Sequence, residues 1–259
     1  MRQAILIEYD ERIATVTLNN PEKLNALDLG MWQGLAQAMR TLSANDDLRC
    51  VVLRGAGDKA FAAGADIEEF TRMRSSAAQA AEYAQVTHAA MEAIAASRHP
   101  TVALIQGACV GGGLEIASVC DMRICGESSR FGVPVNRLGL VMSYGELGGL
   151  MALAGPAVAL EIVLEGRVFG AAEAFQKRLV NRVVADAEVV AETYATARRI
   201  SQGAPLVARW HKKFVRRLQE PAPLGADEQA EAYACFDTED FRIGYQAFIA
   251  KSKPVFVGR

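Results

Sequence analysis

Phe61-Ala62-Ala63-Gly64-Ala65-Asp66 and Gly111-Gly112-Gly113-Leu114-Glu115 are two small-residue segments, each following a β-rich apolar run. Small or absent side chains let a substrate carbonyl approach main-chain N–H groups that bulkier residues would screen. Residues 113 to 120 carry a helical pattern, so Gly112 falls at a helix N-terminus, where free donors and the helix dipole favour negative charge. A thioester oxygen that gains charge as an enolate forms is the species such a trap stabilises. Either segment alone reads first as a tight turn or a close-packing site; two in matching context reverse that and point to the trap.

Glu115 lies three residues after Gly112, in the first turn of an otherwise apolar helix, Leu114-Glu115-Ile116-Ala117. That face is expected to point into the core, and a carboxylate among apolar neighbours needs a partner or a task. A general base is one such task. The competing reading is a first-turn carboxylate satisfied by helix N–H groups.

Other chemistries find less support. Gly55-Ala56-Gly57 follows a strand, but Ala60 stands where a dinucleotide fingerprint needs its third glycine, and no Gly-Lys-Ser or Gly-Lys-Thr phosphate loop occurs. His88, His99 and His211 have no second ligand at metal spacing, so no metal is expected and each reads as a surface or structural histidine. A net charge of -2 gives no general field for nucleic acid. The basic run Lys212, Lys213, Arg216 and Arg217 reads as a solvated helix face or a contact for a small anion. Five cysteines, odd in number and mostly in apolar runs, fit a reducing compartment. The start, Met1-Arg2-Gln3-Ala4-Ile5-Leu6, leads straight into a strand pattern, and no apolar run is read as spanning a bilayer. A cytoplasmic protein without a membrane partner is expected.

The elements that must position these residues read as an α/β chain. Ala4–Tyr9 and Ile13–Leu18 form a hairpin, Asp28 caps a helix through Trp32, Leu35, Met39 and Leu42, and Cys50–Leu53 is a buried strand leading to the first small-residue segment. Residues 77 to 97 read as a helix; Pro100 precedes a second buried strand, Thr101–Ile105, leading to the second segment. A third copy runs from Met122 to a helix near 146 to 154. Beyond about residue 200 the pattern is helical only, over Pro205–Gln219, Ala226–Cys235 and Asp237–Lys251. Residues 1–200 are thus expected to form the core and 201–259 a helical region that packs on a neighbouring subunit.

These residues resemble the crotonase, or enoyl-CoA hydratase/isomerase, superfamily over essentially the whole chain. The likeness rests on Asn19-Asn20-Pro21-Glu22-Lys23-Leu24-Asn25-Ala26-Leu27, Ala60-Phe61-Ala62-Ala63-Gly64-Ala65-Asp66-Ile67, Gly111–Glu115 and the final helix from Phe236 through Phe248 and Lys251. The resemblance implies a spiral of ββα units with a C-terminal helical trimerisation region, assembled as a homotrimer or a dimer of trimers. It also implies an acyl-CoA thioester substrate and no separate cofactor, coenzyme A entering with the substrate. By analogy the amides of Ala65 and Gly112 hold the thioester oxygen. Leu24, Ala26, Ala63, Ala65, Asp66 and Ile67 line the CoA site, and Phe248 and Lys251 reach its nucleotide end. Glu115 matches the first of two glutamates that hold the water adding across the double bond.

The second glutamate is missing. Where the family places it, Phe131-Gly132-Val133-Pro134-Val135 ends in Val135, which can neither hold water nor deliver a proton. Asn136, Ser143, Tyr144 and Glu146 are the nearby candidates for a replacement polar group, each with loop capping or packing as its alternative role. The Pro134-Val135-Asn136 run and the tail Lys253–Gly258 look like the methylmalonyl-CoA decarboxylase branch, which has a histidine where Ala65 stands. An enoyl-CoA hydratase is therefore the leading expectation. An acyl-CoA decarboxylase, whose carbanion comes from loss of CO2, and a non-catalytic CoA-thioester binder follow.

Overall fold

The computed structural model describes residues 3–259; Met1 and Arg2, read as the lead into the first strand, lie outside the described residues. The elements in chain order are β1 (Ile5–Asp10), β2 (Ile13–Leu18), α1 (Leu29–Ala44), β3 (Cys50–Gly55), β4 (Ala60–Ala62), α2 (Phe70–Met73), α3 (Ala77–Ala95), β5 (Thr101–Ile105), β6 (Ala108–Val110), α4 (Gly112–Val119), β7 (Met122–Gly126) and β8 (Arg130–Gly132). They continue with α5 (Tyr144–Glu165), β9 (Phe169–Gly170), α6 (Ala171–Gln176), β10 (Arg182–Val184), α7 (Val189–Ser201), α8 (Pro205–Arg217), α9 (Ala226–Glu231) and α10 (Glu239–Ile249).

Two sheets result, with strand orders β1-β2-β3-β5-β7-β10 and β4-β6-β8-β9. Each turn of the spiral lays a longer strand in the first sheet and a short one in the second: β3 then β4, β5 then β6, β7 then β8. The first small-residue segment therefore starts inside β4, and the second directly follows β6 and opens α4. Parallel pairing of β2, β3, β5 and β7 puts Val16 opposite Leu53 and Val52 opposite Val102, and both faces of these strands are covered, which their unbroken apolar runs require. On one face lie α1 and α3, with Trp32, Leu35, Met39, Met91 and Ile94 buried. On the other, α7 covers Val52, Val102, Leu104 and Ile124 with Val189 and Ala197. The Asp28 carboxylate caps α1, accepting from the Met31 N–H at 2.7 Å.

Three sequence expectations change here. The final helices are shorter than read: α9 ends at Glu231, a 3-10 turn covers Ala234–Asp237, and α10 stops at Ile249. The basic run on α8 is no open anion field, because Lys212 pairs with Asp121, Lys213 with Glu231, Arg216 with Glu92 and Arg217 with Glu228. And α5, 22 residues with mean hydropathy 1.9, is by length and composition apolar enough to cross a bilayer, where no such run was expected. Gly155, with φ 79°, and Pro156 break it into two pieces, each well short of the roughly 20 residues a span needs.

The C-terminal helices are tied to their own core. Lys212 Nζ donates to the His99 carbonyl at 3.1 Å, and the Arg49 guanidinium reaches the carbonyls of Ser201 and Phe256. Buried Asp240 accepts from the N–H groups of Val257 and Gly258, folding the tail against α10. Among the residues α10 leaves exposed are the apolar Phe241, Tyr245, Phe248 and Ile249, beside Arg242 and Gln246.

Candidate active site

The first small-residue segment is held by two asparagines. Asn25, buried in the left-handed region with φ 57°, donates through Nδ2 to the carbonyls of Ala56 and Ala60; Asn20 Nδ2 donates to the Ala26 carbonyl. The loop so fixed lies against the segment itself: Ala63 N donates to Leu24 O at 3.0 Å, Leu27 N to Gly64 O at 2.8 Å and Asp66 N to Leu27 O at 2.9 Å. This bridge uses the groups on either side of Ala65 and leaves the Ala65 N–H without an acceptor among the described residues. Lys23 closes the edge by pairing with Asp66 at 2.8 Å and Glu68 at 2.6 Å, which holds the Asp66 carboxyl below the usual carboxylate range.

The second segment packs on the first. Gly111 has φ 53° and ψ -122°, and a Cβ there would sit 3.5 Å from Gly64 Cα. Gly112 opens α4, so its N–H has no intrahelical acceptor. A Cβ on Gly113 would lie 2.3 Å from the Ala62 carbonyl oxygen. Gly113→Ala is expected to lower stability by roughly 2–3 kcal/mol by forcing α4 off β4, read as a drop in melting temperature.

Ala65 and Gly112 line the same cavity, of about 490 Å³, together with Glu115, Val135, Arg74 and Glu146. Glu115 is 8 % exposed. Its carboxylate accepts no hydrogen bond from first-turn amides among the described residues. Burial, then the like charge of Glu146, raises its pKa to about 8, with Arg74 opposing.

Of the candidate replacements for the second glutamate, Ser143 and Glu146 line this cavity, and Glu146 is the carboxylate. Val135 lines it as an apolar wall. Asn136 turns away and donates to the Leu164 carbonyl at 2.9 Å, at the end of α5. Tyr144 is 98 % exposed and borders a different cavity. Glu146 is buried at the start of α5, where its Oε2 accepts from Ser143 N at 2.7 Å and Ser143 Oγ at 2.8 Å. Its Oε1 faces Arg74 Nη2 at 3.8 Å.

Leu24, Ala26, Ala63, Ala65, Asp66 and Ile67 are thus gathered at one edge of the cavity, Ile67 exposed and also lining its wall. Phe248 and Lys251 are not brought there: both are exposed at the far end of α10, Phe248 by 85 %. Arg74, held over the rings of Phe70 and Tyr83 at 4.8 and 4.5 Å, escaped sequence reading, as did the bond of 2.8 Å between His88 Nε2 and Ser143 Oγ. Neither sits in a local pattern that marks it; only the packing of α3 against α5 does. His99, also read as surface or structural, is fully buried, and desolvation lowers its pKa to about 4. A larger cavity of about 750 Å³ lies beyond His88, walled in part by the paired Lys212, Asp121, Arg216 and Glu92.

The fold and this site define a family. The enoyl-CoA hydratase/isomerase family model matches residues 8–259, and the chain belongs to that family, the crotonase superfamily. A probable enoyl-CoA hydratase of Mycobacterium tuberculosis is 36% identical over 99% of both chains. A crotonyl-CoA hydratase of Syntrophomonas wolfei is 31% identical over 98% of both. Among solved structures, an enoyl-CoA hydratase/carnithine racemase from Magnetospirillum magneticum superposes with TM-score 0.98 at 51% identity, covering 100% of this chain and 97% of that one. An enoyl-CoA hydratase from Bacillus anthracis gives TM-score 0.93 at 29% identity over 99% and 100%.

Proposed function

We propose that this chain is a crotonase-type enoyl-CoA hydratase, a lyase adding water to 2-enoyl-CoA thioesters. One observation carries the reading: Glu115, a buried carboxylate with no hydrogen-bond partner among the described residues, shares a cavity with Ala65 and Gly112, whose amides have no acceptor among the described residues. The thioester oxygen takes the two amide donors. Ionised Glu115 removes a proton from water as its oxygen bonds to the β-carbon, and the π electrons shift through the α-carbon onto the thioester oxygen. Donors already aimed at that oxygen stabilise the enolate without reorganising. Protonation at the α-carbon completes the addition.

The acyl-CoA enters past Leu24, Ala26, Ala63, Asp66 and Ile67. Assembly as a homotrimer or dimer of trimers, in the cytoplasm, belongs to the same reading. It gives exposed Phe248 and Lys251 a role at the nucleotide end of a CoA held by a neighbouring subunit, Lys251 supplying charge to phosphate. Val135 favours a second reading, decarboxylation, since loss of CO2 generates the carbanion without a second acid. One assay separates them: the enoyl absorbance of crotonyl-CoA should disappear with enzyme while a malonyl-type thioester releases no CO2. The reverse pattern replaces the hydratase reading, and binding without either reaction leaves a CoA-thioester binder.

A further inference from the structure

We propose that Glu146 is the second carboxylate of the reaction, holding the water opposite Glu115 and protonating the α-carbon in the place that Val135 leaves apolar. The inference rests on the hydratase reading and adds a residue to it. The helices bring the two carboxylates together. A Cβ on Gly149 of α5 would lie 2.6 Å from Ser118 Oγ of α4, so the helices touch there. One turn back along each stand Glu146 and Glu115, both in the wall of one cavity.

The surroundings of Glu146 fix one oxygen and free the other. Ser143 Oγ donates to Glu146 Oε2 at 2.8 Å and so accepts from His88 Nε2 at 2.8 Å, which makes His88 the Nε2–H tautomer. His88 and Ser143 are positioning residues in this arrangement. Oε1 is left to Arg74 and the cavity. The other charged and titratable groups in the cavity wall are Arg74, which follows α2, and Tyr83 from α3; behind them His88 bonds Ser143, and Glu69 Oε2 takes the Tyr83 hydroxyl at 3.4 Å. The 3-10 turn carrying Val135 adds no charge to the cavity.

Proton balance follows from the pairing. Glu115 takes one proton from water, Glu146 gives one to the α-carbon, and the proton on Glu115 passes back to Glu146 before the next turnover; the net change is addition of H2O. The active form is therefore the pair with a single proton. Burial, then the like charge of Glu146, raises the Glu115 pKa to about 8, so a proton is retained in the site below that pH.

The test is crotonyl-CoA hydration by the full chain and by Glu146→Gln and Ser143→Ala, from about pH 6 to about pH 9.5. Glutamine still caps α5, since a capping box accepts it, so the fold survives while the acid is lost. For the unmodified chain kcat/KM is expected to fall above a pH of about 8. Glu146→Gln is expected to lose about 100-fold in kcat with KM within about twofold, and its residual rate to rise with pH as Glu115 alone ionises. Ser143→Ala, which damages the same cap but keeps the carboxylate, should lose less than about tenfold. A Glu146→Gln rate within about threefold of the unmodified chain, an unchanged pH profile, or equal losses in both variants would reduce Glu146 to a helix cap. An inactive Glu115→Gln beside an active Glu146→Gln overturns this inference alone; no hydration by the unmodified chain overturns it together with the hydratase reading.

Discussion

Glu115→Gln is expected to cut hydration of crotonyl-CoA by about a thousandfold while leaving thioester affinity within about threefold. The amide keeps the shape of the side chain and the cavity wall but cannot take a proton from water. A base acts on the chemical step, so KM and product affinity should hold while kcat falls. Comparable loss of binding would return Glu115 to a structural role.

The same variant carries a stability signature of opposite sign. The Glu115 pKa rises on folding from 4.5 to about 8, so between those values the folded chain binds more protons than the unfolded one. Stability therefore falls as pH rises through that window and stays lowered above it. A shift of this size corresponds to up to about 5 kcal/mol of strain from holding the ionised carboxylate in place. Glutamine does not ionise. Glu115→Gln should melt higher than the unmodified chain at alkaline pH and converge with it towards pH 4.5.

The second large effect concerns the Gly112 amide. Gly112→Pro removes the N–H at the first position of α4, where proline's backbone is tolerated because that N–H has no helical acceptor. Its Cβ meets Trp32 at 3.1 Å and Leu27 at 3.2 Å, and Gly112→Ala brings the same Cβ while keeping the donor. The rate for proline should lie about 100- to 1,000-fold below that for alanine, the usual worth of one oxyanion donor. Equal rates would mean that the oxygen does not use this amide.

Much of the scaffold was legible because local signals agree with tertiary demands. Asp28 caps the helix it was expected to cap, and the unbroken runs at Cys50–Leu53 and Thr101–Ile105 are central parallel strands. The two small-residue segments, separated by a helix of 19 residues, meet because consecutive turns of the spiral stack β4 on β6. Composition hid the rest. The basic stretch of α8 carries one sign of charge in sequence, and its partners Asp121, Glu92, Glu231 and Glu228 come from other elements. Tyr144 and Asn136 are polar and near in sequence, yet helix phase turns Tyr144 to solvent and a carbonyl at the end of α5 takes Asn136. Glu146 sits two positions beyond Tyr144 and faces inward. Arg74 and His88 depend on where α3 meets the start of α5, a contact that no spacing within either segment announces.

The most direct measurement is a crystal structure of the protein with an acyl-CoA thioester bound. The thioester oxygen should stand within about 3 Å of the amide nitrogens of both Ala65 and Gly112, with the Glu115 carboxylate over the β-carbon. An oxygen held anywhere else, or by one of those amides alone, contradicts the account.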